Sequence, residues 1–299
     1  MKTLLSALTP LAILTLAIII AGVLGYFIFL AIDGAVPLRK LISKTALVLL
    51  LLSIFPLMHF LKLSKVDLGI APKKKFARQI IAGLVLGIVI LAPLFLTFYS
   101  LDIWVIDHNF QFTATIILAK LFKILLISFL ISIPEEMLFR GILLTSLTRA
   151  KGVLFAISLS AFYYAGLHFL KSKTEIPPDE ASLSSSYYLI ADALTQLTNP
   201  GNLPAFIALM SVGIFLATIR TKSPMSLGVC IGIHAGWVFL IKTNSAFLNR
   251  NPSSDWYFLV SNYDGVIGPL VTVWLTLITA TFITYTYLRD KSTNSSLEP

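Results

Sequence analysis

Eight times along this chain, roughly twenty apolar residues follow one another with scarcely a charge. These runs lie at about 5–32, 45–63, 80–100, 124–148, 152–170, 204–220, 223–243 and 265–288. Such lengths match a helix crossing a hydrocarbon core and exceed what a barrel strand needs. Helices are the expected form, because a backbone group left unpaired in hydrocarbon is costly and a helix pairs its own. Only 12% of the residues are charged, half the share of an ordinary soluble domain, while 57% are hydrophobic. No soluble fold of 299 residues can hide that much apolar surface, so the lipid bilayer must be the solvent. The expected fold is an all-α, polytopic membrane helix bundle of about eight transmembrane helices. Its organisation reads as residues 1–113 with three spans, a core at 114–245, and a last span with its tail at 246–299. The run after Lys2 is longer than the apolar stretch of a secretory signal, so it reads as an uncleaved first span. The single cysteine, Cys230, permits neither an internal disulfide nor a thiolate metal cluster.

Charge orients the bundle. Segment 62–78 carries Lys62, Lys65, Lys73, Lys74, Lys75 and Arg78 against Asp67, and reads as cytoplasmic. Segment 101–113 holds Asp102 and Asp107 without a Lys or Arg and reads as external. Arg149 with Lys151, Arg220 with Lys222, and Arg289 with Lys291 then share the cytoplasmic face, as do both termini. Arg39, Lys40 and Lys44 run against this scheme. The net charge of +9 is spread over loops, which fits lipid headgroups and no nucleic acid. Residues 112–123, with Lys120 and Lys123, read as an amphipathic interfacial segment. Residues 171–203 read as a long polar loop of the kind that often forms a lid. Gly83, Gly87 and Gly166 read as sites of close helix packing. Trp104 and Trp256 read as interfacial anchors, Tyr263-Asp264-Gly265 as a turn, and His59 and His108 as bland.

The chemistry-bearing stretch is Pro134-Glu135-Glu136-Met137-Leu138-Phe139-Arg140-Gly141 in the fourth span. Each charge at that depth costs about 2.5–3.5 kcal/mol on insertion scales. Glu136 and Arg140 stand at i, i+4 and can neutralise each other along one helix face. Glu135 is rotated by about 100° from that face and needs a partner on another helix. Two intramembrane histidines are available: His168 at the end of the fifth span, one turn after Tyr164, and His234 inside the seventh. One glutamate and two imidazoles can activate water. The glutamate takes the proton, and the imidazoles orient the water or the oxyanion, or ligate a metal that does so. At 1.5 Å per residue, Glu135 falls about 16 Å from the outer end of its span and His234 about 18 Å from Lys222. His168 lies near an outer end, so the site leans outward.

Taken in order, Glu135-Glu136-x-x-x-Arg140, Tyr164-x-x-x-His168 and His234 resemble the CAAX protease and bacteriocin-processing family, over about residues 120–245. That family comprises intramembrane endopeptidases, including type II CAAX prenyl proteases. The resemblance implies Glu135, His168 and His234 as catalytic residues, with Glu136, Arg140 and Tyr164 in support. It implies a membrane-associated peptide or protein substrate. Glu135, His168 and His234 could together bind zinc, though the His-Glu-x-x-His helix motif of zinc proteases is missing. In the family an Asn or Asp commonly follows the last histidine by four residues and helps to stabilise the oxyanion; here that residue is Val238. Another donor, such as Tyr164 or Trp237, or the histidines alone, would have to serve. The competing reading is a family member without activity, or a transporter, acting in partner binding or immunity. It draws on Val238 and on the use of buried charges in ion relays, but the sequence has no inverted repeat of the transporter kind. No oligomeric state is assigned.

Overall fold

A computed structural model describes residues 2–107, 113–223 and 225–295, with side chains described from residue 12 to 293 apart from residue 14 and those gaps. Helices α1 (Lys2–Ala31), α2 (Leu38–Phe60) and α3 (Lys73–Ser100) come first. Pro37 and Pro72 precede α2 and α3, where a missing N–H costs nothing. A short strand β1 (Trp104–Ile106) leads to α4 (Ala114–Glu136), which runs on as a π-helical stretch (Met137–Leu143) into α5 (Leu144–Lys151). Gly152, at φ 88° and open to a left-handed backbone only because it lacks Cβ, breaks the helix before α6 (Val153–Leu167). Then come α7 (Leu183–Thr195), α8 (Leu203–Lys222), α9 (Leu227–Phe247), β2 (Leu248–Arg250) and α10 (Pro269–Ser295).

Every expected span is helical. Among the described residues six helical segments are long and apolar enough to cross a membrane: Leu38–Phe60, Lys73–Ser100, Ala114–Lys151, Pro200–Lys222, Leu227–Phe247 and Pro269–Thr293. Thr15–Ala31 and Val153–Leu167 are apolar but shorter. Helix α6, with 15 residues, is about 22 Å long against a hydrocarbon core of about 30 Å. Arg149 and Lys151 lie at one end of it, and His168 follows its other end.

Three expectations change. Residues 114–123 are no separate interfacial helix but the first turns of α4, where Lys120 donates to the Ala246 carbonyl (3.2 Å) and lies over the Phe247 ring. The 171–203 segment is no plain loop. It contains α7, capped by reciprocal Ser182 and Ser185 bonds, which buries Ser186 and Leu189. Trp104 is 2% exposed and donates to the Gly265 carbonyl, so it is an internal tie and not an interfacial anchor. Trp256 is exposed, His59 lies in the last turn of α2, and His108 lies outside the described residues.

The main core is built from α3, the α4–α5 helix, α6, α8, α9 and α10, while α1, α2 and α7 form a second cluster beside it. At one end, the 61–72 loop gathers α5 and α8. The Asp67 carbonyl accepts from Thr145 (3.0 Å) and from Arg220 (2.8 Å), and its carboxylate pairs with Arg149 (2.6 Å). At the other end lie the Arg39–Glu175 pair and the antiparallel β1–β2 ribbon, in register Trp104↔Arg250, Val105↔Asn249, Ile106↔Leu248.

Candidate active site

Pro134 lacks the N–H that an α-helix interior would use, and the π-helical turns follow within three residues of it. Wider turns of this kind are rare and recur at functional sites. They begin directly after Glu135 and Glu136 and contain Arg140, all facing α9 and α6. Helix α9 is held at close range by α3. A Cβ on Gly232 would strike the Ile80 carbonyl, one on Gly83 the Val229 carbonyl, and one on Gly236 the Leu84 carbonyl at 2.7 Å. Gly83 and Gly87 thus serve the close packing their spacing predicts, and that packing fixes the height of His234. Gly166 does not, since its nearest neighbour would be Leu197 at 3.8 Å.

The fully buried Glu136 pairs with Arg140 at 3.0 Å, as their spacing predicts. The same Glu136 Oε1 lies 2.9 Å from His234 Nδ1. A carboxylate only accepts, so Nδ1 carries a hydrogen, and in the neutral ring Nε2 is left bare. His234 Nε2 faces Glu135 Oε2 at 3.8 Å. Glu135, 25% exposed at its side chain, has no hydrogen-bond partner for Oε2. Two acceptors at that separation leave room for one water hydrogen-bonded to both.

His168 shows the same arrangement. Its Nδ1 lies 2.7 Å from the Tyr164 carbonyl, which again assigns a hydrogen to Nδ1 and leaves Nε2 bare. Tyr164 sits between the two imidazoles, its ring 4.6 Å from that of His168 and 6.1 Å from that of His234. Arg140 lies over the Tyr164 ring at 4.5 Å, and Phe139 meets it edge-on at 5.2 Å. Glu135 and His234 both lie within electrostatic reach of His168. The predicted residues therefore converge on one place, with Glu136 and Arg140 engaged and Glu135 left open.

A metal fits less well. Among the described residues no group of three or more His, Cys, Asp or Glu side chains is placed to hold one, and His234 is turned so that Nδ1 serves Glu136. Val238, one turn beyond His234, offers no donor, and Trp237 packs its ring on Phe215 of α8. Tyr263, which spacing arguments miss, brings its ring to 6.5 Å from His168 and 5.3 Å from Phe169. It comes from the loop before α10, far along the chain, and no local pattern marks it.

Comparison with curated proteins and with solved structures gave no match. Residues 117–240 match the family model for the Type II CAAX prenyl endopeptidase Rce1-like family. That segment contains Glu135, Glu136, Arg140, Tyr164, His168 and His234, and over it this chain is similar to the Rce1-like family of type II CAAX prenyl endopeptidases.

Proposed function

We propose that this chain is a membrane-embedded endopeptidase that hydrolyses a peptide bond of a membrane-associated or exported protein or peptide. The match of residues 117–240 to a CAAX-type protease family supports hydrolysis at the family level. The observation that carries the finer reading is the Glu135 carboxylate. Its Oε2 has no hydrogen-bond partner and faces the bare Nε2 of His234 at 3.8 Å, while the neighbouring Glu136 is engaged by both Arg140 and His234. A water held between Glu135 and His234 gives its proton to Glu135 as its oxygen attacks the carbonyl carbon. The C=O pair moves onto the carbonyl oxygen, and collapse breaks the C–N bond as the amine takes the proton from Glu135. His168, its Nδ1 tied to the Tyr164 carbonyl, presents Nε2 as a second orienting group. No step needs a metal.

The charge pattern of the loops supports both termini cytoplasmic, and in that orientation the His168 end of the site faces outward, which suits an enzyme of a bacterial plasma membrane acting on exported peptides. Comparative peptidomics of cells carrying wild type and Glu135→Ala tests the reading. Glu135→Ala is the cleanest variant, because Glu135 Oε2 holds no partner to be orphaned. We expect cleavage products to vanish while membrane insertion is unchanged, and His168→Ala and His234→Ala to behave alike. An unchanged peptide pattern for Glu135→Ala would sink the mechanism.

A further inference from the structure

We propose that the Tyr263 hydroxyl is the donor that stabilises the oxyanion at this site; the inference rests on the hydrolytic reading above. Tyr263 lies outside the family-matched residues 117–240, so the family match does not assign it. Its ring flanks that of His168, and Glu135 lies within electrostatic reach of it. Tyr164 competes for the role less well. It is 2% exposed, with Arg140 over its ring face, whereas Tyr263 is 37% exposed. On α9 the position one turn past His234 is Val238, which cannot donate.

The loop that carries Tyr263 is held in one conformation. Gly265, at φ 76°, donates its N–H to the Ser261 carbonyl, and its own carbonyl accepts from Trp104 Nε1 at 2.8 Å. Asp264 Oδ1 accepts from the N–H groups of Val266 (2.9 Å) and Ile267 (2.7 Å), and the Tyr263 N–H donates to Ser261 Oγ. A donor fixed before the substrate arrives needs no reorganisation when charge develops. Water attack places the C=O pair on the carbonyl oxygen. Tyr263 donates a hydrogen bond to that oxygen and keeps its proton, and the bond is released when the carbonyl re-forms.

The test uses the full-length chain in detergent and a fluorogenic peptide spanning a cleavage site found by the peptidomics above. Tyr263→Phe keeps the ring against Phe169 and deletes only the donor. We expect kcat to fall about 100-fold, as for loss of one oxyanion donor, with KM nearly unchanged. Val238→Asn in that background should recover part of the lost kcat. A kcat for Tyr263→Phe within about twofold of wild type, or a change confined to KM, overturns the proposal. If Glu135→Ala is inactive in that same assay, the hydrolytic reading survives. If Glu135→Ala cleaves as wild type does, or wild type does not cleave, both fall.

Discussion

Glu136 is fully buried and bonded to two partners on different helices, Arg140 at 3.0 Å and His234 at 2.9 Å. Removing its charge leaves Arg140 as an uncompensated buried cation, which costs about 3–5 kcal/mol. Glu136→Gln should therefore destabilise the fold by that order, and Glu136→Gln with Arg140→Met should cost less than the sum of the single changes. Unfolding in detergent–denaturant mixtures, run as a double-mutant cycle, measures both. Additive costs would mean the pair is not a unit. The i, i+4 half of this cluster is legible in the sequence, because helix spacing alone brings Glu136 to Arg140. The His234 half is not. Which of two adjacent glutamates an imidazole on α9 meets depends on how α4 and α9 are rotated, and residue spacing within one helix carries no such information. Tyr263 is invisible for the same reason, since it reaches the site through a loop whose shape depends on Trp104 of β1.

Helix positions are set by contacts that the sequence shows only as glycine spacing. Gly83 and Gly87 announce a close approach, and the partner face proves to be Gly232 and Gly236 on α9, either side of His234. A methyl at Gly232 meets the Ile80 carbonyl and the Leu84 N–H group (2.7 Å), both backbone, so relief requires the helices to part. Gly232→Ala should cost at least about 2 kcal/mol. Gly166→Ala meets only a leucine methyl at 3.8 Å and should be neutral or stabilising by up to about 1 kcal/mol through helix propensity. Thermal unfolding of the two purified variants decides, and equal effects would remove the packing argument. The lengths of α4 and α6 escape the sequence reading for another reason. Apolar runs mark what lies in hydrocarbon, but helices start and stop where the backbone allows it. Gly152 stops α5 before α6, while nothing separates 114–123 from α4.

At the scale of the whole molecule, charge patterning predicts that segment 62–78, Arg149 and Arg220 share one face, and all three meet at Asp67. The Ser64 N–H and hydroxyl, and then Arg149, hold the Asp67 carboxyl below its ordinary range, so this junction stays charged at neutral pH. The opposite face carries the β1–β2 ribbon, the Arg39–Glu175 pair, His168 and Tyr263. The compartment each face looks onto decides where substrate comes from. The chain supplies its own clean background for finding out, because Cys230 is its single cysteine and is fully buried. New cysteines at Lys65, in the Asp67 loop, and at Ser253, beside the ribbon, both fall at exposed positions on opposite faces. A membrane-impermeant maleimide added to intact spheroplasts should label Ser253→Cys and leave Lys65→Cys untouched until the membrane is opened. The reverse pattern would turn the bundle over and make the site face the cytoplasm. Labelling of both from one side would break the two-faced arrangement itself, since charges gathered at Asp67 and the ribbon at the far end cannot then be separated by a bilayer.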